Sequence, residues 1–317
     1  MLTGHERMID RLYGTRGTRG TRGTRGTRGT RGTSGARGDG STARATGAGV
    51  LGASHRGYLN FGLWEDGTTE YARAAERMVE RLGELLELAP GARVIDAACG
   101  RGTQDLYLLS RFGALSIDAI DITRSNVEHA IEQAAGRTGP GELRFHHASA
   151  TRLPFPDASF SHAICVEAAH HFDTREAYLG EAFRVLAPGG RIALADIVLR
   201  RLPRTATERA WVSAAIALWR IPRANVVTCD GYRAALVRAG FRIASIEEVS
   251  ARTFPGYYRA QRAPARRREL VRLRGRLGAT VGAVMNLAAH RVYQAGLLDY
   301  LLVSAAKPEN GGGDDGP

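Results

Sequence analysis

The stretch Val94-Ile95-Asp96-Ala97-Ala98-Cys99-Gly100-Arg101-Gly102-Thr103-Gln104 decides the fold. An apolar, β-rich run ends in a glycine-containing turn, and the turn opens a helical run. Gly100 and Gly102 let the backbone pass close to a ligand. The helix start after them presents unpaired N–H groups suited to a carboxylate. A second acidic residue is expected at the end of the next strand, where it would accept ribose hydroxyls. Asp121 stands there, in Ala119-Ile120-Asp121-Ile122-Thr123, 19 residues after Gly102. Taken alone, the pattern fits nucleotide-type sites of several kinds.

Outward from this stretch the chain alternates short β-rich and helical runs. The pattern predicts strands over 93–97, 116–121, 143–147, 162–166 and 191–196, with helices over 103–112, 125–135 and 175–186 between them. Such alternation implies a doubly wound α/β fold, a mostly parallel sheet with helices on both faces. An amphipathic helix over 70–88 precedes it, ended by Ala89-Pro90-Gly91. A helix over 230–239 and strands over 241–249 and 300–306 complete seven strands. Segments 198–228 and 252–297 stand outside the alternation, and their Trp, Tyr and Arg content suits a helical lid at the ligand edge.

The chain has 317 residues, 44% of them hydrophobic, enough for one large α/β domain with an extra lobe. No run of 18 or more apolar residues suggests a membrane span, and no apolar segment suggests a secretory signal. Cys99, Cys165 and Cys229 lie far apart, a usage that predicts neither a disulfide framework nor a zinc site and fits a reducing cytoplasm. The net charge of +12 is uneven: residues 1–50 carry +7 and the rest +5. Lys307 is the one lysine, so the basicity is a bias toward Arg rather than a mixed phosphate-binding surface. Thr15 to Gly32 is six perfect Thr-Arg-Gly units. Residues 1–57 as a whole are expected to be disordered, since they have little apolar surface to bury. The same holds for the Gly- and Asp-rich residues 309–317.

The turn resembles the S-adenosylmethionine motif of class I methyltransferases, Asp-x-Gly-x-Gly-x-Gly, with Ala98 in place of the first glycine. Further blocks follow in that family's order. His147-Ala148-Ser149-Ala150-Thr151-Arg152-Leu153-Pro154-Phe155 is similar to Gly-Asp-Ala-x-x-Leu-Pro-Phe, with Ser149 where the family carries the Asp that meets the adenine amino group. A serine hydroxyl retains one hydrogen bond to offer there. Phe160–Glu167 resembles the fourth strand and its terminal acid. Arg184–Gly190 resembles the helix end and Pro-Gly-Gly turn, and Tyr300–Pro308 the closing antiparallel strand. The resemblance covers residues 58–308 and implies S-adenosyl-L-methionine as cofactor. It places Asp96, Ala98, Gly100 and Gly102 at the cofactor turn, Gln104 at the methionine end or facing solvent, and Asp121 and Ile122 at the ribose. Ser149 and Ala150 fall at the adenine, with Tyr58 and Glu167 closing the site.

Glu167-Ala168-Ala169-His170-His171-Phe172 and Asp196 fall at the carboxyl ends of adjacent strands, where such sheets bind ligands. With Tyr58–Trp64 upstream, this region resembles the erythromycin- and rebeccamycin-type sugar O-methyltransferases. That branch implies a catalytic His, here His170 or His171, partnered by Asp196. One His of the pair is then structural. A His–Asp pair suits removal of a hydroxyl proton near neutral pH. Tyr58 and Trp64 are read either as closing over the cofactor or as packing aromatics. Trp211, Trp219, Tyr257, Tyr258 and Tyr293 belong to the lid, as acceptor walls or lid core. Arg266-Arg267-Arg268 with Arg272, Arg274 and Arg276 marks a basic helix, read first as a solvated face and otherwise as a contact to an anionic substrate or membrane surface.

The expected function is methyl transfer to a small-molecule acceptor, a hydroxyl of a natural product or its sugar. One alternative is C-methylation of an isoprenoid or quinone-like acceptor. Another is an inert methyltransferase fold whose Arg-Gly tail binds RNA. Nucleic acid is disfavoured as a substrate, because Glu-Ala-Ala-His-His stands where amino-group nucleic-acid enzymes carry Asn/Asp-Pro-Pro-Tyr/Phe. Homo-oligomerisation is left open.

Overall fold

The computed structural model describes residues 2–13, 57–65 and 67–309. Seven strands form one sheet in the order β3-β2-β1-β4-β5-β7-β6. They are β1 Arg93–Ala97, β2 Ser116–Asp121, β3 Glu142–His147, β4 Phe160–Val166, β5 Leu186–Leu199, β6 Arg242–Glu248 and β7 Leu298–Ala306. The first five pair in parallel, and β7 runs antiparallel between β5 and β6. The strand order reverses between β1 and β4, the switch point outside which open α/β sheets bind ligands.

Successive side chains of a strand point to opposite faces, and here both faces are covered. Val94, Ile117, Ile164 and Ala193 pack on one side with Met78 and Leu82 of α2 (Tyr71–Leu85). Ile95, Ile120, Cys165 and Leu194 pack on the other. Their partners there are Leu179 of α5 (Arg175–Val185) and Leu236 of α7 (Cys229–Arg238). Each such fully buried Leu or Met contributes roughly 1.5–3 kcal/mol. The helices α3 (Thr103–Phe112) and α4 (Arg124–Ala134) fall within one residue of the expected bounds.

Two expectations are corrected. The lid does not begin at 198, because β5 continues to Leu199 in pairing with Leu298 of β7. The lid itself is α6 (Ala206–Trp219), α8 (Phe254–Arg262) and α9 (Pro264–Gln294), the last broken at Gly275. The expectation of disorder over 1–57 fails at its start. Gly4–Tyr13 form a helix, α1, that packs on the sheet's ligand edge. Its start is a capping box: Thr3 Oγ1 accepts from Glu6 N at 3.1 Å and Glu6 Oε2 accepts from Thr3 N at 2.6 Å. The Thr-Arg-Gly repeat and residues 310–317 lie outside the described residues.

Candidate functional site

At the carboxyl ends of β1, β2 and β4, a cavity opens under α1, α8 and α9. Its empty space, open mouth included, is about 1710 Å³. Eleven of the fourteen residues singled out from the sequence line it: Tyr58, Ala98, Gly100, Gln104, Asp121, Ile122, Ser149, Ala150, Glu167, His170 and His171. Asp96, Gly102 and Asp196 stand behind the wall and hold members of it.

At one end, Ala98 has φ +69°, a left-handed conformation that explains why glycine is usual there. Gly102 cannot carry a side chain, because a Cβ would lie 2.7 Å from Phe145 and 2.9 Å from Ala130. Its place is therefore the close packing of the turn rather than the ligand surface. Asp96 Oδ2 accepts from Gln104 Nε2 at 2.5 Å and so orients it toward the cavity. Burial pushes the Asp96 carboxyl up. Burial, with the charge of Asp96, pushes its neighbour Asp105 up further. Asp105, wholly buried in the first turn of α3, was not singled out from the sequence.

Asp121 ends β2 and accepts from Gly100 N at 2.9 Å, Thr123 N at 2.7 Å and Asn126 Nδ2 at 3.3 Å. Burial outweighs those bonds and raises its pKa to about 6. Ile122 and Ala150 form an apolar slot beyond it. Ser149, also there, turns its hydroxyl to Glu6 of α1.

On the opposite wall, Glu167 Oε2 accepts from Phe61 N at 2.7 Å and Tyr300 Oη at 2.6 Å. Burial dominates, and its pKa rises to about 8. A short 3-10 turn, Ala169–His171, follows. His170 Nδ1 meets Asp196 Oδ1 at 2.7 Å, and Asp196 Oδ2 accepts from Arg175 Nε at 2.8 Å. All three are buried. Burial pushes the Asp196 carboxyl up, but the charge of Arg175 and the bonds from His170 and Arg175 hold it well below the usual carboxylate range. A carboxylate only accepts, so His170 donates from Nδ1 and keeps a lone pair on Nε2. Arg175 is fixed in turn by the carbonyls of Asn225 at 2.8 Å and Ile197 at 3.3 Å, and Asn225 Nδ2 donates to the carbonyl of His170 at 3.1 Å.

His171 faces α1 instead. Its Nε2 meets Tyr13 Oη at 3.0 Å, and its carbonyl accepts from His5 Nε2 at 2.8 Å. Burial, then the neighbouring His170, push its pKa well below the ordinary histidine value.

The acceptor side is walled by Phe61 stacked on Tyr257 (4.1 Å between ring centres), Trp219, Leu270 and Met285. Of the two roles open to Trp64, the structure has packing. The side chain is packed in the core, where a Cβ on Gly256 would sit 2.2 Å from its ring. Trp211, Tyr258 and Tyr293 are not among the lining residues, whereas Trp219 and Tyr257 are. Of the arginine run, Arg266 is buried at the cavity wall and paired with Glu269 at 2.9 Å. A solvated face does not describe that residue.

Arg175, Asn225 and α1 went unnoticed in the sequence. Arg175 is one Arg among many, and only its position at the start of α5 sets it apart. For α1 a signal exists in Thr3-Gly4-His5-Glu6, a capping-box spacing hidden by the low-complexity run behind it.

A switch-point cavity with a glycine turn, a carboxylate ending the second strand and an apolar wall is the arrangement of enzymes that hold a nucleotide-like cofactor against a second substrate. Residues 94–190 match the model of a family described as a methyltransferase domain. The 27-O-demethylrifamycin SV methyltransferase of Amycolatopsis mediterranei is 33% identical over 202 residues, covering 64% of this chain and 73% of that protein. The erythromycin 3''-O-methyltransferase of Saccharopolyspora erythraea is 30% identical over 200 residues, covering 61% and 64%. Among solved structures, the [4+2]-cyclase SpnF superposes with a TM-score of 0.65 at 23% identity, over 80% of this chain and 88% of that one. The chain belongs to the class I S-adenosylmethionine-dependent methyltransferases of natural-product biosynthesis, and S-adenosyl-L-methionine is its cofactor. The residues fit that cofactor. Asp121 offers a carboxylate acceptor for hydroxyl groups, the α3 start and Gln104 offer N–H donors for a carboxylate, and Ile122 and Ala150 offer apolar surface for a base.

Proposed function

We propose that this enzyme methylates a hydroxyl of a natural product, with His170 as the general base and Asp196 as its partner. The carrying observation is the His170–Asp196 pair at the cavity wall, braced by Arg175. Bound S-adenosylmethionine would supply an electrophilic methyl group, with its S–CH3 bond breaking and S-adenosylhomocysteine as the leaving group. The acceptor hydroxyl loses its proton to His170 Nε2 as its oxygen forms the new bond, and ionised Asp196 stabilises the resulting imidazolium. His171 is a wall residue here, since its Nε2 is engaged by Tyr13 and its low pKa makes it a poor proton acceptor. Asp121 and Gly100 hold the ribose side, and Gln104, aligned by Asp96, the amino-acid side. Glu167, protonated below about pH 8, holds the Phe61 strap and Tyr300 together.

The apolar chamber of Phe61, Trp219, Tyr257 and Met285 suits a large, mostly apolar acceptor such as the one named by the rifamycin relative. Acceptor screening therefore starts with 27-O-demethylrifamycin SV and other hydroxylated natural products. On the acceptor found, His170→Ala is expected to lose about 10²–10⁴ in kcat while binding S-adenosylhomocysteine as the wild type does. His171→Ala is expected to keep most of its turnover. Full turnover in His170→Ala removes it as the base, and a product methylated on carbon favours the C-methyl alternative. Loss of S-adenosylhomocysteine binding in Asp121→Ala tests the cofactor site itself.

A further inference from the structure

Position 149 raises a problem of charge. The slot of Ile122 and Ala150 ends on a serine where the family motif carries a carboxylate. The adenine amino group is a donor, and a serine hydroxyl serves it only if free to accept. In the structure it is not free. Ser149 Oγ donates to Glu6 Oε1 and itself accepts from Thr151 N at 3.2 Å. Thr151 Oγ1 also reaches Glu6 Oε1 at 3.5 Å, and the other carboxylate oxygen accepts from Thr3 N at 2.6 Å. Glu6 is buried, at 7% exposure, and lines the cavity beside Ser149.

We propose that Glu6, brought in by α1 from far along the chain, is the carboxylate that reads the adenine amino group in this enzyme. The capping box sets its rotamer through Thr3 N on Oε2, and Ser149 and Thr151 fill Oε1, so the open acceptor position is on Oε2. A carboxylate offers about four acceptor positions, and three are taken by Ser149, Thr151 and Thr3, which leaves one for the amino group. Ser149 then acts as a positioning residue that aims Glu6. The helix is held in register by contacts remote from the slot. Tyr13 and His5 clasp His171, and Thr3 Oγ1 meets Asp173 Oδ2 at 3.1 Å. The serine at 149 and the helix form one device, because an aspartate there would face Glu6 as a second buried negative charge.

The inference rests on the placement of adenine in the Ile122–Ala150 slot. The test is calorimetric titration of the full chain with S-adenosylhomocysteine and with its 6-deamino purine analogue. The wild type is expected to prefer the amino form by about 10- to 100-fold, as for a hydrogen bond to a charged group. Glu6→Ala is expected to bring that ratio to about 1–3, and Glu6→Gln, which keeps a carbonyl acceptor, to an intermediate value. Ile9→Ala, which loosens α1 without touching the carboxylate, is expected to weaken both ligands equally and leave the ratio unchanged. A Glu6→Ala ratio equal to the wild type's overturns the proposal, as does a wild type blind to the amino group. Should Asp121→Ala bind as well as the wild type, the cofactor placement fails. Should Asp121→Ala lose binding while the Glu6→Ala ratio stays high, only the role of Glu6 fails.

Discussion

Ala98 carries a side chain where φ is +69°, and an L-residue in that region costs about 1–2 kcal/mol. Ala98→Gly releases that strain at the expense of a looser unfolded chain. The expected net gain is about 0.5–1 kcal/mol, or a rise of about 1–4 °C in Tm by calorimetry. A fall in Tm would show that the turn has adapted its neighbours to the methyl group. The same scale explains His170 against His171. Adjacent in sequence and 4.2 Å apart between ring centres, they differ in what the other side of each ring meets. One meets a carboxylate locked by Arg175, the other a phenol on α1. Spacing alone leaves the two equivalent.

At the level of elements, the strap 57–65 links the cofactor edge to α2. Gly62 has φ +76°, and a Cβ there would lie 2.8 Å from Ala74 Cβ, inside a helix that cannot move without its core. Gly62→Ala is expected to cost about 1–3 kcal/mol in urea unfolding and to weaken S-adenosylhomocysteine binding, because Phe61 and Tyr58 shift with it. Unchanged unfolding would mean that the strap yields freely. The regular elements were readable because β1, β2, β4 and β5 are buried on both faces and leave apolar runs, while α2 is buried on one and leaves a helical period. The cofactor residues were readable because the turn geometry admits few residue types. The braces were not. Arg175 and Asn225 act through long-range bonds that leave no spacing, and α1 is too short and too isolated for its apolar face to stand out. Arg266 was misjudged because a basic run gives no sign of which face packs inward.

Across the whole molecule, the buried acids decide how stability responds to pH. Asp121 titrates at about 6 in the fold against 3.8 ordinarily, and Glu167 at about 8 against 4.5. Between each pair of values the folded chain alone keeps the proton, so stability falls as pH rises from about 4 to 8. Asp196 acts in the opposite sense. Its lowered pKa adds stability above its ordinary 3.8, and that is lost in stronger acid. The ligand-free enzyme is therefore expected to be most stable near pH 4, and Glu167→Gln to flatten the fall toward pH 8. Thermal unfolding across pH 4–9 checks both, and a maximum above pH 7 would contradict them. Binding the sulfonium cation should favour the ionised acids. Affinity for S-adenosylmethionine is then expected to rise between pH 6 and 8 more than that for S-adenosylhomocysteine, with protons released to buffer.

The helix α1 puts His5, Glu6 and Tyr13 into the cavity wall, although 43 residues of sequence stand between it and Gly57. A gene start set after the Thr-Arg-Gly units would keep every strand of the sheet and lose those three side chains. The choice of first residue therefore decides whether that wall of the cavity is complete.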